Sequence, residues 1–146
     1  MKYFAYGSNM NFKQMDDRCP DAKFLKKVYL EDYRFIYDKG CDWWRTCGNI
    51  TESKGDIVWG GLFEISDNDL KNLDEYEQYD KGLYDRKIFE LKDEEGELTK
   101  AISYFRETEV EAVPCEEYQN IVVQGAKDCG LPEEYISFLA SEKVKV

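Results

Sequence analysis

Apolar and polar positions alternate through the opening residues and predict a strand over Lys2–Tyr6. The same period of two runs through Phe24–Asp38 (FLKKVYLEDYRFIYD), read as one long strand or a bent pair. It returns in Asp56–Ser66 (DIVWGGLFEIS), where Gly60-Gly61 predicts a bulge or sharp bend. Leu83–Asp93 and Thr99–Glu107 read as a hairpin across the polar turn DEEGE. Helical signals fall between and after these strands. A short helix over Asn11–Arg18 stops before Cys19-Pro20, because the residue ahead of a proline avoids the helical region. Ser66-x-x-Asp69 is a capping box with Asp in place of the usual Glu or Gln, and opens a helix reaching about Tyr76–Glu77. Pro114 suits a first helical turn and Glu116 and Glu117 its dipole, with Tyr118, Ile121, Val122, Gly125 and Cys129 on one face and Gly130 as the stop. A last helix begins at Pro132. Strands with interspersed, non-alternating helices give an α+β class: a small, mixed, strongly curved sheet or barrel flanked by helices, one domain over residues 1–146.

Composition narrows the chemistry. With 42% hydrophobic residues, including 11 Tyr, 8 Phe and 3 Trp, the chain packs a core despite its charge. A net charge of −11, with no local cluster of Lys and Arg, excludes nucleic acid and anionic membrane surfaces and favours a small-molecule partner. No apolar run approaches the ~20 residues a membrane helix needs, and the N-terminus has no signal-peptide core, so a cytoplasmic protein is expected, as monomer or homodimer. The five cysteines are odd in number and scattered without a CxxC pair, which reads as reduced thiols rather than disulfides or a zinc site. There is no histidine, so proton transfer near neutral pH falls to a carboxylate, Lys, Tyr or Cys with a perturbed pKa. Among the cysteines only Cys115 starts a helix, and two glutamates follow it, a poor setting for a reactive thiolate. Neither metal nor cofactor is expected.

Two stretches carry candidate chemistry. In YFAYGSN a strand ends at Tyr6, Gly7 allows a tight path, and Ser8 or Asn9 can cap the following helix. Such a turn is either plain connection chemistry or a set of outward N–H groups suited to a carboxylate. In NLDEYEQYDKGLY, at ~100° per residue, Glu77 falls within about 10° of the face that Leu70 and Leu73 define, while Asp74 lies about 70° away and Glu75 nearly opposite. Glu77 then either points inward, where burial and the helix C-terminus raise its pKa, or swings to water and pairs with Lys81 or Arg86.

Taken together, YFAYGSNM, VWGGLFEIS leading into LDEYE, Gly82-Leu83-Tyr84 and YQNIVVQGAKDCGLPEEY resemble, in order, the gamma-glutamylcyclotransferases. The resemblance implies a compact mixed barrel with one cavity between the opening turn and the LDEYE helix, and conversion of a gamma-glutamyl compound to 5-oxoproline with release of an amine or amino acid. Glu77 matches the family's catalytic glutamate. Tyr6, Gly7, Ser8 and Asn9 match its substrate-holding loop, and Tyr84 and Tyr118 match tyrosines lining the cavity. Two departures stand out: Gln78 occupies a position where many relatives carry glycine, and Gly40–Asn49, with Trp43 and Trp44, has no clear counterpart. The two tryptophans either cover the cavity or pack beneath a loop. The contrasting reading, a binding module without catalysis, leaves an inward Glu77 without a purpose.

Overall fold

The computed structural model describes residues 1–39, 47–107 and 110–141. Five strands, β1 (Lys2–Ala5), β2 (Lys23–Asp38), β3 (Cys47–Glu64), β4 (Asp85–Lys92) and β5 (Leu98–Phe105), close into a barrel in the order β1-β3-β2-β4-β5. Neighbours are antiparallel except β1 and β5, which run parallel where Tyr3 meets Ile102. Around the barrel lie α1 (Phe12–Arg18), α2 (Asp67–Tyr76), α3 (Glu116–Asp128) and α4 (Glu133–Ser141). The α+β class and the curved, barrel-like sheet expected from the sequence are therefore present.

Strand β1 is not two-faced. Tyr3, Phe4, Ala5 and Tyr6 are all buried, because a strand lodged between β3 and β5 and covered on both faces reads as a continuous apolar run. The predicted bulge at Gly60-Gly61 is absent: the β2–β3 register runs unbroken from Lys27–Gly61 to Tyr29–Trp59. These glycines serve close approach instead. A Cβ on Gly60 would stand 2.3 Å from the Ala5 carbonyl oxygen, and one on Gly61 would stand 2.7 Å from Cys129 Sγ.

The register shifts lie in β2, at Phe24/Lys26 and Glu31/Tyr33. At the second, Asp32 adopts a left-handed φ of 63° and its carboxylate accepts the Gly55 N–H at 3.0 Å. Beyond that kink both strands continue, so β3 begins at Cys47, nine residues before the predicted start at Asp56. The polar run TESKGD concealed this extension, since it carries no apolar alternation.

Helix ends follow their local chemistry. Ser66 and Asp69 form both halves of the capping box, Ser66 Oγ accepting the Asp69 N–H at 3.0 Å and Asp69 Oδ2 accepting the Ser66 N–H at 3.1 Å. Helix α3 starts at Glu116 with Cys115 as its cap, so Pro114 stands just outside rather than in the first turn. Gly130, at φ 71°, ends it as expected. An aromatic cluster of Phe12, Phe24 and Phe63, with centroids 5.1–6.2 Å apart, ties α1 to the barrel.

Gly125 sets how closely α3 approaches the first turn of the chain. A Cβ there would stand 2.4 Å from the Asn11 backbone nitrogen and 2.6 Å from the Met10 carbonyl carbon. Backbone cannot yield as a flexible side chain can. Gly125→Ala is expected to destabilise the protein by about 1–3 kcal/mol, read as a lowered denaturant midpoint; an unchanged midpoint would mean that α3 shifts freely.

Candidate functional site

After β1 the chain passes through Tyr6 and Gly7 into a 3-10 turn, Ser8–Met10. The first bond of this turn is Met10 N–H to the Gly7 carbonyl at 3.1 Å, so the Ser8 and Asn9 N–H groups have no acceptor within it. The side chains are committed to holding the turn. Asn9 donates to the Tyr3 hydroxyl at 3.0 Å, and its carbonyl oxygen accepts from Gln14 Nε2 at 3.0 Å and Arg18 Nη1 at 3.1 Å. Gln14 Nε2 also donates to Ser8 Oγ at 2.8 Å. Neither Ser8 nor Asn9 caps α1, as the sequence suggested; Asn11 does, accepting the Gln14 N–H at 3.1 Å.

Glu77 caps the C-terminus of α2, and its side chain lines a cavity of about 220 Å³ shared with the opening turn. Burial pushes its carboxyl up to about 7, opposed by the nearby Arg18 guanidinium. It does not pair with Arg86. That cation is taken by Asp74, which also accepts the Tyr104 hydroxyl at 2.6 Å, so two acids three positions apart meet opposite environments. Gln78 then turns the chain through a left-handed residue, φ 52°, and its carbonyl accepts the N–H groups of Lys81 and Leu83. A residue with a side chain here holds the conformation that glycine adopts at least cost.

Tyr84 and Tyr118 both reach the cavity, and both hydroxyls meet Gly48. Tyr84 donates to the Gly48 carbonyl at 2.7 Å, with Cys47 Sγ 3.0 Å away, and Tyr118 accepts the Gly48 N–H at 2.8 Å. Gly48 is thus clamped through its backbone on both sides. A Cβ on it would stand 2.8 Å from Phe35 Cε1 and 3.1 Å from Tyr118 Oη, and one on Gly7 would stand 3.3 Å from the same hydroxyl. The adjacent Asn49 fixes this wall, donating to Asp38 Oδ2 at 2.9 Å and accepting the Arg106 N–H at 3.0 Å.

All the predicted site residues, Tyr6, Gly7, Ser8, Asn9, Glu77, Tyr84 and Tyr118, therefore border one cavity. Sequence reasoning missed Gly48, Tyr3, Tyr104 and Arg18. Only tertiary structure brings them here, although Arg18 is a cation within the same short helix that follows the turn. Burial holds Tyr6, Tyr84 and Tyr118 well above the ordinary phenol value, so each stays protonated. It also pushes the Cys19 and Cys129 thiols up to about 12. Among the described residues Glu77 is the one carboxylate lining the cavity, no three Cys, Asp or Glu side chains converge to hold a metal, and no helix is long and apolar enough to cross a membrane. Trp43 and Trp44 lie outside the described residues.

Comparison with known proteins bears on the family and the fold. The AIG2-like family model matches residues 57–139, a span that includes Glu77, Tyr84 and Tyr118. The gamma-glutamylcyclotransferase of Homo sapiens is 32% identical over 138 residues, 91% of this chain and 73% of that protein. That of Bos taurus is 33% identical over 139 residues, with the same two shares. A solved structure of a gamma-glutamyl cyclotransferase superposes with a TM-score of 0.93 at 29% identity, covering 99% of this chain and 89% of that one. The chain belongs to the AIG2-like family, and within it to the gamma-glutamylcyclotransferase enzymes.

Proposed function

We propose that this enzyme converts a small gamma-glutamyl amine or amino acid to 5-oxoproline, with Glu77 as general base and then acid. The observation that carries this reading is a carboxyl raised to about 7 in the same cavity as the opening turn. A group of that pKa is partly ionised at neutral pH and exchanges protons in both directions at little cost.

The substrate supplies its own nucleophile. Its α-ammonium gives a proton to Glu77, and the freed amine attacks the γ-carbonyl carbon to close a five-membered ring. The tetrahedral oxyanion collapses as the amide C–N bond breaks. The attacking nitrogen loses a second proton as it becomes the lactam N–H, and the departing nitrogen gains two and leaves as an ammonium. Protons balance, and Glu77 ends as it began. The turn's Ser8 and Asn9 N–H groups suit the glutamyl carboxylate or the oxyanion. Tyr84 and Tyr118 bound the space in which the ring closes, and Gly7 leaves room for Tyr118.

Glu77→Gln keeps shape and removes proton transfer, so 5-oxoproline release is expected to fall about 10²–10⁴-fold; near-normal release would remove Glu77 from the chemistry. Because the ionised carboxylate is the base, kcat/KM should drop as pH falls through about 7, measured between pH 5.5 and 8.5. An acid whose folded pKa is raised destabilises the fold at high pH, a cost absent below the unfolded value near 4.5 and complete above about 7. Glu77→Gln should therefore match the native protein in acid and exceed its stability at pH 8 by up to ~3 kcal/mol, and equal denaturant midpoints at pH 8 would contradict the burial. Gly7→Val, which crowds the Tyr118 hydroxyl, is expected to raise KM about tenfold or more; an unchanged KM would reduce the turn to a connection.

A further inference from the structure

Residues 74–82 include no fully buried side chain, although Leu73 before them and Tyr84 after them are buried. Glu77 lies within this stretch. Its backbone bonds are local, the N–H groups of Glu77, Gln78, Lys81 and Gly82 all reaching carbonyls between Leu73 and Tyr79, so they shape the stretch without tying it to the barrel.

The ties are side chains that meet cations. Arg18, at the end of α1, lies 4.3 Å from the centroid of the Tyr76 ring. Arg86, in β4, takes both flanks of Glu77: its Nη1 donates to Asp74 Oδ2, three positions before, and its guanidinium lies 4.3 Å from the centroid of the Tyr79 ring, two positions after. Across the strands Arg86 pairs with Tyr104, whose hydroxyl donates to the other Asp74 oxygen at 2.6 Å. One residue pair of β4 and β5 thus grips α2 by both oxygens of a carboxylate. The grip works against local preference, because Glu77 stands at a helix end, where backbone frays, and Gln78 holds a left-handed φ of 52° that is costly for a residue with a Cβ.

We propose, resting on the cyclotransferase reading above, that Arg86 is a positioning residue: by holding Asp74 and Tyr79, it keeps Glu77 turned into the cavity and away from water, and so sets the lower pH limit of turnover. Arg86 itself does not line the cavity. The groups that do face Glu77 there are Arg18 from α1, Tyr3 and Tyr6 on and after β1, Cys47 from β3, Tyr84 ahead of β4, Tyr104 from β5 and Tyr118 from α3. Burial keeps the five phenols protonated, and the cation that eases the Glu77 charge is Arg18. Loss of a cation acting directly would raise the carboxyl, whereas loss of a clamp lowers it by admitting water, so the direction of change separates the two roles.

The test is the pH profile of kcat/KM with gamma-glutamyl-alanine, together with the Glu77 carboxyl titration followed by carbon-13 NMR and assigned by its absence in Glu77→Gln. In Arg86→Gln the acid limb and the titration are expected to move down together from about 7 by about one pH unit. The plateau kcat should fall about tenfold or more as the base leaves its place. Arg86→Lys, which keeps the charge but not the planar fork, should move both less. Tyr79→Leu, with the Asp74 pair intact, should move them in the same direction, and Tyr79→Phe, which keeps the ring, should move them less than Tyr79→Leu. Lost stability alone shifts neither readout in the folded protein, and if Arg86→Gln does not fold, Tyr79→Leu and Arg86→Lys decide. A limb and titration that stay in place would reduce these contacts to packing, and an upward movement would make Arg86 a direct electrostatic partner; either overturns the proposal. A titration that falls in Arg86→Gln, when the native protein turns over no gamma-glutamyl compound, would uphold the clamp and refute the cyclotransferase reading. Glu77-dependent turnover whose acid limb ignores these variants would do the reverse.

Discussion

A carboxyl group that titrates near neutrality must be kept from water, and much of the local structure answers to that constraint. The capping box of Ser66 and Asp69 fixes where α2 starts, and Glu77 closes its other end. Gln78, in the left-handed region, turns the chain away at once, and its carbonyl ties down the next turn through Lys81 and Leu83. Asp74, one turn earlier on the same helix, shows the alternative: given Arg86 and the Tyr104 hydroxyl, it is held as a structural ion pair. The difference between the two acids is one of partners, since Glu77 faces the cavity with the Arg18 guanidinium easing its charge but not paired to it.

The opposite wall is built from backbone. Gly48 is held by two buried tyrosines, one on its carbonyl and one on its N–H, and the Asp38–Asn49 pair anchors the strand beside it. Tyrosines that burial keeps protonated give this wall a constant hydrogen-bonding pattern across the pH range in which Glu77 titrates. The site thus combines one group that changes charge near neutrality with surroundings that do not.

What the sequence made legible was local. The start of α2 could be placed by its capping pair and the end of α3 by Gly130, because each depends on neighbours within a few positions, whereas helical phase left Glu77 open between the cavity and water. The resemblance to a family supplied the joint site that these pieces form. Gly48 was hidden because its role is a contact with Tyr84 and Tyr118, 36 and 70 residues away, inside a polar segment without apolar alternation. The Gly60-Gly61 pair misled for a related reason: glycines in a strand signal either a bulge or the close approach of another chain segment, and only the position of Ala5 and Cys129 decides between them. Arg18 looked like an ordinary helix-terminal cation until Tyr76 and Asn9 were brought beside it.

The opening turn is held from the far side of the chain. The Phe12 N–H bonds to the Asp128 carboxylate across 116 residues, Asn11 reaches the Ile121 carbonyl across 110, and β1 completes the barrel only by joining β5. On a ribosome, the first dozen residues would therefore wait until α3 had emerged before finding their partners. Domains made largely of such distant contacts fold slowly, because the closure entropy falls before the contacts form. A nascent chain lacking α3 would hold the capped helix of Glu77 but no closed pocket around it, so catalytic competence would arrive late and all at once.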